Sequence, residues 1–147
     1  MCGGRNEMNI VLFASDMKKE QMANFCNAYS GILSQHTLLA TGGTGEYISR
    51  NTPLRTIKFL DGKRGGMEQV ANRIRYNEID MVLALIEGDY KKDTDIFVAE
   101  ILKACDNMNV PVSTNIGTAE LLVQGLSHGD LDWRDVVRSE MNKEMEY

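Results

Sequence analysis

Apolar runs of strand length alternate with segments of helical spacing along almost the whole chain, and this alternation restricts the fold more than any other feature. The runs are Asn9–Ala14, His36–Ala40, Arg55–Phe59, Asp80–Ile86 and Pro111–Thr114. Between them, Met22, Phe25, Cys26, Tyr29, Ile32 and Leu33 recur every three or four residues, and so do Val98, Ile101, Leu102, Cys105 and Met108. That spacing predicts amphipathic helices. A short helix is expected from about Gly45 to Arg50, another through Val70 and Ile74, and a later one over Ala119–Val123. Asp80–Ile86 is the most continuously hydrophobic run, as expected of a central strand covered on both faces. Arg55–Phe59 follows Pro53 and is shorter and more polar, which places it near an edge. Five strands separated by helices predict a single-domain, three-layer α/β/α fold with a five-stranded, parallel, doubly wound sheet and right-handed crossovers. The domain is expected over residues 8–138, after a disordered polar start at 1–7 and before a charged tail at 139–147.

Composition removes several classes of function. A chain of 147 residues buries about two-thirds of its unfolded surface as one domain. Its formal net charge of -5 argues against a nucleic-acid binder, which carries a basic face. No apolar run approaches the ~18–20 residues that cross a bilayer, and Met1–Glu7 lacks the apolar core of a signal peptide. A cytoplasmic protein is therefore expected. Cys26 and Cys105 fall on apolar helix faces, Cys2 lies in the polar start, and there is no CxxC. With His36 and His128 the only histidines, no metal site and no cofactor are expected.

The chemistry is expected at the carboxyl ends of the strands, where ligands bind in open α/β sheets. Four loops leave those ends with polar or glycine-rich composition: Ser15 to Lys19, Thr41 to Thr44, Asp61 to Gly66, and Glu87 to Asp95. The turn Thr41-Gly42-Gly43-Thr44 leads from strand to helix. Its glycines permit a tight turn, the helix start adds positive dipole, and the two hydroxyls are short donors, a combination suited to an anion. Asp16 is a helix N-cap candidate and Lys19 lies one turn on.

Read together, these segments resemble the methylglyoxal synthase family over about Met8 to Arg138. The resemblance is carried by Ala14-Ser15-Asp16 with Lys19, by Ala40-Thr41-Gly42-Gly43-Thr44-Gly45, by Gly62 with Gly65-Gly66, and by Val110-Pro111-Val112 leading to Thr114–Glu120. It implies the same α/β fold, a homohexamer, and a metal-free conversion of dihydroxyacetone phosphate to methylglyoxal and phosphate. In that reaction a carboxylate removes a proton beside the carbonyl, an enediolate forms, and phosphate is eliminated. Lys19, Thr41, Gly42 and Thr44 match the family's phosphate-binding positions, and Asp16 matches a site aspartate.

Other positions depart from the pattern. Gly43 stands where the resemblance implies a threonine, and Asp61, beside Gly62, where it implies a phosphate-binding serine. The catalytic base is expected at Met67, with Glu68 the nearest carboxylate. Family histidines correspond to Ser15 and Thr94, and site aspartates to Phe97 and Glu87, whereas Asp95 fits an acidic position. The resemblance with these departures implies a family member with a remodelled site. An atypical phosphate lyase is expected, using Asp16, Glu68 or Asp95 for proton transfer, with Lys19, Thr41, Gly42, Gly43, Thr44, Asp61 and Gly62 around the ligand. The alternatives are a non-catalytic regulatory protein binding a small phosphorylated or polar metabolite, and a lyase or isomerase with a different substrate.

Overall fold

The computed structural model describes residues 7–59, 61, 65–88 and 97–145. Five strands form one sheet: β1 (Asn9–Ala14), β2 (Thr37–Ala40), β3 (Ile57–Lys58), β4 (Met81–Leu85) and β5 (Val112–Ser113), in the order β3-β2-β1-β4-β5. Every neighbouring pair is parallel. The helices are α1 (Lys19–Ala28), α2 (Ser30–Leu33), α3 (Gly42–Asn51), α4 (Gly66–Arg75), α5 (Lys103–Met108), α6 (Ile116–Ser127) and α7 (Trp133–Met145). A short 3-10 turn covers Asp16–Lys18, and a π-helical segment, Phe97–Leu102, leads into α5.

The strand period of two sorts the core into two layers. Ile10, Leu12 and Ala14 of β1 join Leu38, Ala40, Met81, Leu83 and Leu85 on one face, packed with Met22, Phe25 and Cys26 of α1 and Val123 of α6. Val11, Leu39, Val82 and Ala84 face the other way, against Met67, Val70, Ala71 and Ile74 of α4 and Ile101, Ala104 and Cys105. β4 is buried along its whole length, as its unbroken hydrophobic run requires.

The chain steps outward from β1 to β2 to β3 and then crosses back to lay β4 on the other side of β1. The switch point therefore lies between β1 and β4, at the carboxyl ends Ala14 and Leu85, which are register partners. Ser15 N donates to Leu85 O at 3.0 Å, and Glu87 N donates to Ser15 Oγ at 3.2 Å, so the two strand ends are tied together there.

Several boundaries differ from the sequence expectation. The helix expected from about Gly45 begins at Gly42, because the glycine pair adopts the first helical turn itself. The periodicity over Met22–Leu33 covers two helices joined at Tyr29, whose N–H bonds Phe25 O while its own carbonyl accepts from Leu33 N. The edge strand is reduced to Ile57–Lys58, both exposed and paired on one side by β2. Asp16, the N-cap candidate, instead opens the 3-10 turn, and the residue before it, Ser15, makes no side-chain cap while its hydroxyl accepts from Glu87 N. Residues 1–6 of the polar start lie outside the described residues. Glu7 is described, and its carboxylate accepts a hydrogen bond from Thr37 Oγ1.

Candidate functional site

Thr41 and Thr44 are buried at the carboxyl end of β2, beside the end of β1. Ala14 N donates to Thr44 Oγ1 at 3.2 Å, and that hydroxyl donates to Ala14 O at 3.4 Å. Thr41 Oγ1 donates in turn to Thr44 Oγ1 at 3.4 Å. One hydroxyl with a single proton and two lone pairs thus serves three partners, and both threonines are used to lock the turn onto β1. Neither threonine hydroxyl makes a side-chain cap to α3. The first amide taken within the helix is Gly45 N, bonded to Thr41 O at 2.8 Å, so the amides of Gly42, Gly43 and Thr44 precede the helical ladder.

Lys19, on the first turn of α1, reaches back across the switch point. Its Nζ donates to Ala14 O at 3.2 Å and to Asp16 Oδ1 at 2.8 Å. A Cβ placed on Gly43 would lie 3.7 Å from Lys19 Cε, so the lysine stem runs past the start of α3. The structure therefore brings Asp16, Lys19, Thr41, Gly42, Gly43 and Thr44 to one place, as expected.

Asp61 arrives from the opposite side. A Cβ on Gly42 would fall 2.5 Å from Asp61 Oδ1 and 3.3 Å from both Asp61 N and Phe59 O, so a side chain there would have to displace the Asp61 carboxylate. Asp61 O accepts from Gly66 N at 2.9 Å. Gly65, at φ 96, provides the left-handed turn into α4 that an L side chain strains to adopt.

Two of the positions that depart from the resemblance, Met67 and Phe97, are apolar and buried. Met67, in the first turn of α4, is only 4% exposed and belongs to the apolar layer of Val11, Leu39 and Val70. Glu68 is exposed, about 100° further round the helix. Phe97 is fully buried, and its ring stacks on Phe13 at 5.7 Å between centroids and 15° between planes. Gly62 and Asp95, expected at the site, lie outside the described residues, as does Thr94. Among the described residues, no group of three His, Cys, Asp or Glu side chains is placed to hold a metal ion, and no helix is long and apolar enough to cross a membrane.

Sequence reasoning missed a second polar cluster at the opposite end of the sheet. Asp80, just before β4, is fully buried, and Arg134 of α7 is nearly so. Arg134 Nε donates to Asp80 Oδ1 at 3.3 Å, Nη1 to the carbonyls of Met108 and Asn109, and Nη2 to Asn77 Oδ1 and Ile79 O. Asp80 Oδ2 accepts from Asn9 N at 2.8 Å, and Arg138 Nη2 also donates to Oδ1. Asn77 and Asn109, both at positive φ, are held by this arginine. The one available signal was a lone aspartate opening an otherwise apolar strand run. This cluster ties the sheet to α7 and takes no part in the site.

The strand order, together with the threonine–glycine turn beside the switch point, defines an open, doubly wound α/β domain, and the MGS-like domain family model matches residues 21–114. The methylglyoxal synthase of Caldicellulosiruptor saccharolyticus is 46% identical over 136 residues, covering 92% of this chain and 96% of its own. That of Listeria innocua is 41% identical, with coverage of 90% and 99%, and that of Oceanobacillus iheyensis 39%, with 93% and 98%. The crystal structure of methylglyoxal synthase from Elizabethkingia anophelis shares the fold, with a TM-score of 0.71 at 24% identity over 81% of this chain and 78% of that one. The chain belongs to the methylglyoxal synthase family.

Proposed function

We propose that this protein holds a small phosphorylated or polar metabolite in the cleft between the ends of β1, β2 and β4, without catalysing the family's proton abstraction in the ordinary way. The observation that carries this reading is Met67. The residue occupies the position where the resemblance places the base, is 4% exposed, and is embedded in the apolar layer under α4. A thioether takes no proton from a carbon acid, and the next carboxylate on the helix, Glu68, is on the exposed side. Loss of a positioned general base typically costs about 10²–10⁴ in rate. The stacked Phe13–Phe97 pair adds a second apolar contribution near the switch point. Lys19 and the start of α3 remain for the ligand, on a turn that the buried threonines lock onto β1. By the same resemblance the protein is a homohexamer.

The competing reading is a phosphate lyase in which Asp16 takes the proton, favoured by its place beside Lys19 at the cleft. Its side chain is 82% exposed, however, so water surrounds it rather than the dry, fixed surroundings a carbon acid requires. Incubation with dihydroxyacetone phosphate separates the two. Phosphate release at background, together with a thermal shift on adding a small metabolite, is the expected result. A ligand at 100 times its Kd adds about 2.7 kcal/mol of stability. Release at an enzymatic rate, abolished by Asp16→Asn, would establish the lyase instead.

A further inference from the structure

We propose that Asp61 sets the charge class of the ligand. Its carboxylate stands at the first residue of α3, where an anionic ligand would meet the helix. The cleft then favours a neutral or zwitterionic small molecule, offering hydroxyl or ammonium donors, over the phosphate ester of the same molecule. This rests on the reading above that the cleft binds a metabolite.

Three observations lead here. Asp61 Oδ1 lies 2.5 Å from where a Cβ of Gly42 would be, so the carboxylate touches the glycine backbone with no side chain between them. The amides of this first turn precede the helical ladder, Thr41 does not cap them with its side chain, and a helix start favours a negative group. Asp61 thus supplies the negative charge that a ligand would otherwise bring. Its backbone is fixed at both ends of the contact, with Asp61 N 3.3 Å from the same point and Asp61 O accepting from Gly66 N at 2.9 Å. Only side-chain rotation can move the carboxylate away.

Lys19, the lysine beside Gly43, does not offset it. Lys19 passes Gly43, but its ammonium is already matched by Asp16 Oδ1 at 2.8 Å and by Ala14 O at 3.2 Å. A phosphate dianion entering between Lys19 and Asp61 would meet one matched ammonium and one carboxylate within contact distance of the same helix turn. A hydroxyl or ammonium group donates to that carboxylate instead, and becomes a charge-assisted partner.

The test compares dihydroxyacetone, dihydroxyacetone phosphate and inorganic phosphate as probes on the full chain, by isothermal titration calorimetry. Wild type is expected to bind dihydroxyacetone more tightly than its phosphate ester. Asp61→Asn should reverse that order and raise the affinity for inorganic phosphate by on the order of 10–100-fold. Asp61→Ser should do the same, and carries the measurement if the asparagine variant unfolds. Adding Lys19→Met to Asp61→Asn should remove the gain, which locates the phosphate at this turn. The proposal is overturned if inorganic phosphate binds both Asp61 variants within twofold of wild type, if wild type prefers the ester, or if the gain survives Lys19→Met. Turnover of dihydroxyacetone phosphate by wild type would overturn the binding-protein reading on its own readout, while the ratio of phosphate Kd values still judges Asp61.

Discussion

Asp80 and Arg134 form a buried ion pair, with Nε 3.3 Å from Oδ1, that joins the entry of β4 to the first turn of α7. The guanidinium has five N–H donors, and Arg134 places them on Asp80, Met108, Asn109, Asn77 and Ile79. Such a cluster specifies one docking of the last helix, and removing Arg134 leaves Asp80 to Arg138 and Asn9 N while the carbonyls of Asn109 and Ile79 lose this donor.

Arg134→Ala is therefore expected to destabilise the protein by about 1–3 kcal/mol, because Arg138 still pairs with Asp80. Arg134→Lys should recover little of this, because an ammonium cannot reproduce the planar fork. Urea unfolding of the three proteins measures it. A lysine variant as stable as wild type would show that charge alone, and not the five-donor geometry, holds α7.

Thr44→Val keeps the shape of the turn but removes the acceptor for Ala14 N, which lies in the buried end of β1. Ala14 O keeps a partner in Lys19 Nζ, so the amide bears most of the loss. A cost of about 1–3 kcal/mol is expected, with Thr44→Ser close to wild type. Thermal unfolding checks both, and an unaltered valine variant would mean that the hydroxyl is dispensable.

Met67→Asp places a carboxylate in the apolar layer beneath α4. A loss of about 1–3 kcal/mol of stability is expected from the buried polar group alone. Combined with Asp61→Ser, it should raise phosphate release from dihydroxyacetone phosphate by at least about tenfold over wild type, toward the low end of what a positioned base contributes. A folded double variant with unchanged release would show that the cleft has diverged beyond these two positions.

Cys26 and Cys105 are fully buried, and their thiols are pushed up to about 12, in both cases first by burial. For Cys105, Asp106 raises it further while Arg134 pulls it down. The folded protein thus holds these protons where the unfolded chain releases them. The contribution to stability is complete below pH 9, and is lost as pH rises from the ordinary thiol value of 9.0 through about 12. At pH 8 a thiol reagent is expected to label neither residue in the native protein, and both at once in denaturant. Rapid native labelling of either would mean that its layer opens locally.

Much of the fold was legible in residue order. The apolar runs of β1 and β4 and the more polar edge strand are local patterns, and each corresponds to an observed element. The threonine–glycine turn was also legible, because tight turning and helix initiation are properties of neighbouring residues. The start of α3 was misplaced by three residues, since glycine propensity argues against a helix that the packing of this turn on β1 and β3 imposes.

By itself, then, the sequence determined the strand–helix alternation and the family, both written in short-range patterns or in matched segments. Tertiary structure alone decided which side chains meet at the ends of the strands. Only the parallel ladder from β1 through β2 to β3 carries Asp61 against Gly42, and only the two-sided packing of the sheet buries Met67 and stacks Phe13 on Phe97. The same holds for Arg134, whose partner Asp80 is 54 residues away in the chain. Contacts of that kind depend on the register of distant segments, and no local propensity records them.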